Sequence, residues 1–527
     1  MHAIEAFELV LTMLCFVLVL HWLALKLSLP PATVLLVGGG GLAFVPGLPE
    51  ISLDPELALV LFLPPLLVDG AFYTALGRFR RNLPGIFSLA IGAVVFTTLV
   101  VGVVVHWLVP SLPWAACFAL GAIVSPPDAV SARAVLKGVP LPRRLTTLLE
   151  GESLLNDATG LILFRFAVAA TLSGTFHAGE AVGQFAFVAI GGALVGIAMG
   201  ALWLVAVRWL NDRMLVIAAT VILCWLSYLA AEALHVSGVI ATVVAGLVQG
   251  WFQHTVLPAW ARLQGRSVAE LINFVLEAFV FILIGFSLRG ALERLGGIEA
   301  IPQSMWLAIT GVIVAVAFAR FLWVFGSDAI LMALRAMGWN RPRPLGWRQA
   351  TVLSWAGMRG VVTLAIPLTL PAEMPGRDLM VICAFGVIFA SVILQGTSLG
   401  LLIRKVKPID AEPDPAVLMP EAEACISNAR ATEMERLAYD EDGKLIHPML
   451  LKQHQNRNEM IQRYALKATE IQDDLYESFT VALQAHAAGR AELIRLHRAG
   501  LIEDEVLHNL ERDLDVEELT LLFQRGG

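Results

Sequence analysis

The sequence predicts an all-α polytopic membrane protein carrying a helical, water-exposed tail. Of its 527 residues, 57% are hydrophobic and only 15% charged, and the mean hydropathy is +0.73. Such a composition excludes an ordinary soluble globular chain. Polarity is also unevenly divided, with a net charge of −11 from Ala411 to the end and +4 before it. Two parts in two solvents follow: a membrane domain over residues 1–407 and an acidic helical domain over 408–527.

A bilayer crossing takes about 20 apolar residues, and Pro, Gly and charge clusters punctuate one crossing from the next. On that basis thirteen spans are expected, centred near residues 16, 40, 65, 97, 124, 158, 194, 223, 243, 278, 319, 360 and 390. The first carries Glu5 and Glu8 and lacks a basic leader, so it reads as a retained helix and not a cleaved signal.

Basic residues alternate between the loops as this count requires. With the N-terminus outside, the inner loops hold Lys26; Arg78, Arg80 and Arg81; Lys137, Arg143 and Arg144; Arg208 and Arg213; Arg262 and Arg266; Arg335, Arg341, Arg343 and Arg348; and Arg404, Lys405 and Lys407. These 18 face three outside, Arg289, Arg294 and Arg377. The tail is therefore expected in the cytoplasm.

Spans five and twelve are interrupted. Ser125-Pro126-Pro127-Asp128 removes two backbone donors in succession, and Gly357-Met-Arg359-Gly360 is a glycine-flanked break carrying a charge. If spans one to six and eight to thirteen are halves joined by span seven, each break falls on the fifth member. The offset of seven spans inverts one half against the other. Paired breaks at matching positions point to a secondary transporter with its site at mid-membrane.

Span six holds Glu150-Gly-Glu-Ser-Leu-Leu-Asn-Asp157. Ser153 and Asp157, four residues apart, share one helical face, and Glu152 and Asn156 share the adjoining one. Asp157 lies about twelve residues, or roughly 18 Å, from the inner end. A lone carboxylate there would cost roughly 3 kcal/mol on insertion scales, so it must be protonated, paired or hydrogen-bonded. Asp128 and Asp69 are further candidates for the same cavity, although Asp69 can equally bond locally. Asp157, Asp128 and Ser153 make an oxygen-rich hard-cation site. The same site can take a proton, because burial and neighbouring acids raise a carboxylate's pKa. A site holding either proton or cation, alternately exposed to each side, exchanges the two.

Glu152, facing away from Ser153 and Asp157, is expected to pair with Arg359 in a buried salt bridge. Arg320 has two available roles, satisfying unwound carbonyls or a carboxylate. Arg165 can reach the outer interface by snorkelling. Glu150 reads as an inner-mouth acid.

At these residues the chain resembles the cation/proton antiporter family, in the branch of bacterial sodium/proton antiporters and animal sodium/proton exchangers. The matching stretches are Gly121 to Val130, Glu150 to Asp157, Ala319-Arg320-Phe321 and Gly357 to Gly360, and the likeness covers about residues 1–407. It implies two inverted six-helix repeats with crossed broken helices, a homodimer, and a bacterial-type plasma membrane. It also implies Asp157 as the carboxylate that carries cation and proton, with Ser153 and Asp128 around the cation. Asn156 before Asp157 matches the electroneutral, one-for-one exchangers, Glu152 with Arg359 matches the core ion pair, and Arg320 the support of the crossing. Two positions depart from the pattern. Pro127 stands where many relatives have threonine, leaving a carbonyl for the ion and no hydroxyl, and Asp69 stands where many have glutamate.

The expected activity is exchange of sodium for protons, with lithium or potassium as alternative cations, and no cofactor beyond the transported ions. Five scattered cysteines without Cys-x-x-Cys, and histidines without ligand spacing, give no disulfide framework or zinc site. No phosphate loop or basic stripe for nucleic acid is present. Two other classes compete: an intramembrane aspartyl protease using Asp128 and Asp157 as an acid dyad, and a membrane-anchored sensor working through its tail. In the tail, Glu421–Arg436, Leu450–Ala488 and Glu492–Phe523 show helical spacing. It reads as a solvated appendage packing on itself or across a dimer, with regulation as the sharper alternative.

Overall fold

The structure is a computed structural model that describes residues 3–27, 29–42, 55–128, 141–175, 178–294, 297, 302–338, 343–371, 373–410, 419–466 and 472–526. These residues are helical almost throughout, and their one β-type pairing is an isolated bridge between Tyr439 and Leu445. The chain divides into two compact units, Met1–Glu412 and Pro413–Gly527.

In the first unit the helices run α1 (Ala3–Leu27), α2 (Pro31–Leu42), α3 (Pro55–Phe72), α4 (Leu76–Leu108) and α5 (Trp114–Val124). Then come α6 (Arg143–Ser173), α7 (Ala178–Trp209), α8 (Arg213–Ala233), α9 (Gly238–Val256) and α10 (Ala259–Arg294). The unit closes with α11 (Gln303–Ala336), α12 (Trp347–Trp355), α13 (Val361–Leu368) and α14 (Arg377–Val406). Among the described residues seven are long and apolar enough to cross a membrane: α4, α6, α7, α8, α9, α11 and α14. The spans expected near residues 16, 40, 65 and 124 coincide with shorter apolar helices, Leu11–Leu27, Pro31–Gly41, Leu59–Phe72 and Trp114–Val124.

Two apolar clusters flank the functional region. One joins α4, α5, α11 and α14 through Val101, Leu120, Ile123, Val312 and Met380. The other joins α3, α4, α6, α9 and α12 through Leu67, Ile86, Leu148, Val243 and Leu353. Cys117, Cys224 and Cys383 are buried free thiols and serve as small apolar side chains. Both α4 and α14 contain a π-helical turn, at Ser88–Ala93 and Ser391–Gln395. Sequence pattern alone does not reveal such turns, and one of them matters below.

Lipid offers no hydrophobic drive for helix association, so close backbone approach must come from small residues. On α7, Gly192 and Gly196 face α9: a Cβ would lie 2.7 Å from the Ser237 carbonyl oxygen and 2.5 Å from that of Ala241. Elsewhere α7 is open, with Phe187, Ile190 and Leu194 exposed.

The tail unit comprises α15 (Met419–Leu437), α16 (Pro448–Leu466), α17 (Gln472–Arg498) and α18 (Asp504–Gly526). It packs α15 on α16 and α17 on α18. Gln462 donates to the Ala424 carbonyl at 2.9 Å, and Arg490 bridges Asp515 and Glu518 at 2.5 and 2.7 Å. The helical spacing read continuously over Glu492–Phe523 is in fact broken. The amide of Leu501 returns to Leu496 O at 3.0 Å and Gly500 adopts φ +68°, a left-handed terminus that glycine tolerates. The apolar register carries across the turn, which concealed it. For Leu450–Ala488, residues 467–471 lie outside those described, as do Ala129 and Val130 after the span-five break, Lys137 and Arg341 of the inner loops, and Pro413 and Pro415 at the tail's start.

Gly196→Leu should force α7 away from α9 and lower the thermal midpoint of the purified protein, at an overpacking cost of about 1–3 kcal/mol. Gly183→Leu on the same helix, where a Cβ meets nothing within 4 Å, should leave it unchanged. Thermal denaturation followed by size-exclusion chromatography compares the two.

Candidate functional site

The site is built where two helices stop inside the protein. Helix α5 ends at Val124 because Pro126 and Pro127 have no N–H to continue it. Helix α12 ends at Trp355, and α13 starts only at Val361 after the irregular stretch Ala356–Gly360. The two irregular stretches lie against each other. The Asp128 amide donates to the Met358 carbonyl at 2.7 Å, and Arg359 Nη1 donates to the Ser125 carbonyl at 2.5 Å.

Glycine makes this approach possible. A Cβ on Gly360 would run into the Asp128 carboxylate, and one on Gly357 would run into the Arg320 side chain. A larger residue at 360 would push the Asp128 stretch away, and one at 357 would displace Arg320.

Each of these two helices directs its carbonyl end towards this contact, and each end receives an arginine. Arg359 serves α5 at Ser125 O, while Arg320, from α11, serves α12 by donating to Leu353 O from Nε at 3.3 Å and Nη2 at 3.1 Å. A cation is favourable at the negative end of a helix dipole, and more so when the carbonyls have no water. Arg359 is held further by its own amide, which donates to Ser391 Oγ at 3.1 Å within the π-helical turn of α14.

Helix α6 presents its two polar faces to different partners. Ser153 and Asp157, with Glu150 one further turn back, line a cavity of about 30 Å³ shared with Asp128, Gly360 and Thr363. Space on that scale holds an ion or one or two waters. A peptide needs roughly 300 Å³ or more, so the space does not suit a protease dyad. On the adjoining face Glu152 and Asn156 are sealed, at 1% and 0% exposure. Asn156 Nδ2 donates to the Pro127 carbonyl, tying α6 to the unwound end of α5.

The partner of Glu152 is Arg320, correcting the expected pairing with Arg359. Arg320 grips it in a two-pronged bridge, Nη1 to Oε1 at 2.6 Å and Nη2 to Oε2 at 2.9 Å. Both residues are almost wholly buried. The physical reason is position: Arg359 is spent at the crossing on Ser125 and Ser391, whereas Arg320 extends from a continuous helix facing Glu152. Such a fork satisfies a planar carboxylate geometrically.

Asp69 also departs from expectation. On α3, Leu66, Leu67 and Gly70 border the Asp157 cavity, while Asp69 turns to a separate one with Tyr73, Arg262 and Arg266. Asn156 and Pro127, expected at the ion, engage each other and do not line the cavity. Arg165 reaches Glu232 at 3.5 Å with its side chain 55% exposed. Thr363 went unassigned in the sequence, although a hydroxyl three residues past Gly360 falls in the first turn of the resumed helix. Ser391 gave no sequence signal, because its role depends on the π-helical turn. Among the described residues no three His, Cys, Asp or Glu side chains form a metal-binding group.

Comparison with known proteins is consistent over most of the chain. The family model described as sodium/hydrogen exchanger, transmembrane, matches residues 10–405. The chain is 32% identical over 504 residues to an Escherichia coli K12 protein described as an uncharacterised Na+/H+ exchanger, covering 90% of each chain. It is 34% identical over 393 residues to a sodium, potassium, lithium and rubidium/H+ antiporter of Bacillus pumilus, covering 71% of this chain and 58% of that one. In fold it is similar to the solved sodium/proton antiporter of Methanocaldococcus jannaschii, with a TM-score of 0.60 at 20% identity, over 77% of this chain and 99% of that one.

Arg320→Gln should strand a buried carboxylate at a cost of about 3–5 kcal/mol and sharply lower the thermal midpoint and folded yield. Adding Glu152→Gln should recover much of that loss, and should recover nothing in an Arg359→Gln background. A double-mutant cycle on thermal midpoints reads the difference.

Proposed function

The chain belongs to the sodium/hydrogen exchanger family, and from that premise we propose an electroneutral, one-for-one exchange of Na+ for H+ with both ions competing for Asp157. Membership makes it a multi-pass membrane transporter of monovalent cations and protons, and not an enzyme. The rest of the mechanism is our reading of the site.

The observation that carries it is the division of α6. Asp157, Ser153 and Asp128 line a small cavity and are only partly buried, while Glu152 and Asn156 are sealed into the scaffold. Exchange needs this separation, because a group that releases a proton must be reachable while its framework stays fixed. Loading Na+ converts Asp157–COOH to Asp157–COO−·Na+ and releases one H+. The site then carries the same charge in either state. With Asn156 in place of a second acid beside Asp157, no further carboxylate of that helix turn titrates with it. Hydroxyls of Ser153 and Thr363 and the Asp128 carboxylate supply oxygens to a hard cation.

Movement completes the cycle in our reading. The crossing of two interrupted helices moves against its surroundings as a body and exposes Asp157 to each side in turn. We infer thirteen spans, with the N-terminus outside and the tail in the cytoplasm, from the loop charges, and two inverted repeats from the paired stops at Pro126 and Gly357. The open apolar face of α7, including Phe187, Ile190 and Leu194, suits a second copy, so a homodimer is part of the proposal. The name of the Bacillus relative, covering four alkali cations, supports testing Li+ and K+ beside Na+.

In liposomes with an acid interior, added Na+ should drive proton efflux read by a pH dye. Asp157→Asn should abolish the signal while the protein still elutes as a folded species, and transport at the normal rate would refute the role of Asp157. Competition further predicts that the apparent KM for Na+ rises by about tenfold per pH unit below the site's pKa, with the maximal rate held constant. The rate should not follow a membrane potential imposed with valinomycin and K+; a steep dependence would exclude one-for-one exchange.

A further inference from the structure

A third, much larger cavity lies near the site, and none of Asp157, Asp128, Ser153 and Thr363 lines it. It measures about 650 Å³ and is bounded by α4, the start of α6, α11 and the approach to α12. A cation has no use for that volume, which falls in the range of sites for small organic ligands. Its walls are chiefly apolar, with Leu148, Trp323 and Leu331 among them, and Arg81 and Arg144 also contribute to its lining. Leu322 and Ile330, which also line it, are 48% and 62% exposed on the outer side of α11. On a membrane-crossing helix that side faces acyl chains, so the cavity opens to lipid.

The charges match one class of lipid. Arg78, Arg80 and Arg81 occupy a single turn at the start of α4. Arg81 donates from Nε to Gly77 O at 3.3 Å, and among the described residues no acid pairs with it. Arg144 is positioned in part by donating to Arg343 O at 2.6 Å and Pro344 O at 3.2 Å. Apolar space open to the bilayer and bordered by guanidinium groups is complementary to an acyl chain ending in a phosphate.

We propose that this cavity binds an anionic phospholipid, its chain between α4 and α11 and its phosphate at Arg81 and Arg144. The bound lipid would touch the joint from which α12 starts. There Asp328, on the cavity wall, accepts from the amides of Leu345 and Gly346 at 2.5 and 3.1 Å, and Leu345 and Leu353 complete the lining. Leu353 is also the residue whose carbonyl Arg320 caps, so lipid occupancy would steady α12 at both ends.

Native mass spectrometry on the full-length, delipidated protein tests this with added phosphatidylglycerol, cardiolipin, phosphatidylcholine or inorganic phosphate. The anionic lipids should be retained above phosphatidylcholine and should raise the thermal midpoint. Arg81→Gln should weaken phosphatidylglycerol binding by about fivefold, the effect of one basic side chain near an anionic headgroup. Gly326→Leu, at a lining position where a Cβ meets nothing within 4 Å, should displace the lipid by filling the space. Equal retention of anionic and zwitterionic lipid by the unaltered protein would overturn the proposal whether or not either variant folds. So would unchanged phosphatidylglycerol binding in both variants, or displacement of the lipid by inorganic phosphate, which would mark a simple anion site.

Discussion

The structure depends on neutralising two helix ends that stop inside the protein. Helices α5 and α12 both direct carbonyl groups into a region without bulk water, where an unsatisfied polar group costs several kcal/mol. Arg359 and Arg320 answer them, each donating to a carbonyl of the final turn. Nearly everything near the site serves to place those two guanidinium groups. Gly357 leaves room for the Arg320 side chain, Ser391 fixes the backbone of Arg359, and Glu152 balances the charge of Arg320.

This arrangement explains why α6 bears so many polar residues. Its Glu152/Asn156 face is consumed by structure: one residue neutralises the cation at the end of α12, the other binds the carbonyl left open at Pro127 beyond α5. The adjoining face lines the cavity. Asp157 and Ser153 stand on it, apart from the Glu152–Arg320 and Asn156–Pro127 bonds. A buried pair such as Glu152 and Arg320 adds little net stability over apolar packing, but breaking it is costly, so it fixes geometry.

Much of the fold was legible in the sequence, because a bilayer restricts what a span can be. Apolar length marked many of the helices, and the prolines at 126 and 127 marked the end of α5. Helical spacing separated Ser153/Asp157 from Glu152/Asn156 correctly. The turn at Gly500 was missed because the apolar register of the tail continues through it, and the π-helical turn at Ser391 leaves no trace in composition.

By itself the sequence determined the membrane class, the helix ends near Pro126 and Gly357 and the two polar faces of α6, since each follows from local rules of hydrogen bonding and periodicity. Only the tertiary structure decided which arginine meets Glu152, that Asn156 ties down Pro127 and does not line the cavity, and that Asp69 turns towards a separate cavity. Those outcomes depend on which helices become neighbours and how they are rotated. Two arginines carry identical charge, and nothing within either one's own stretch of chain states its distance from a carboxylate more than 160 residues away.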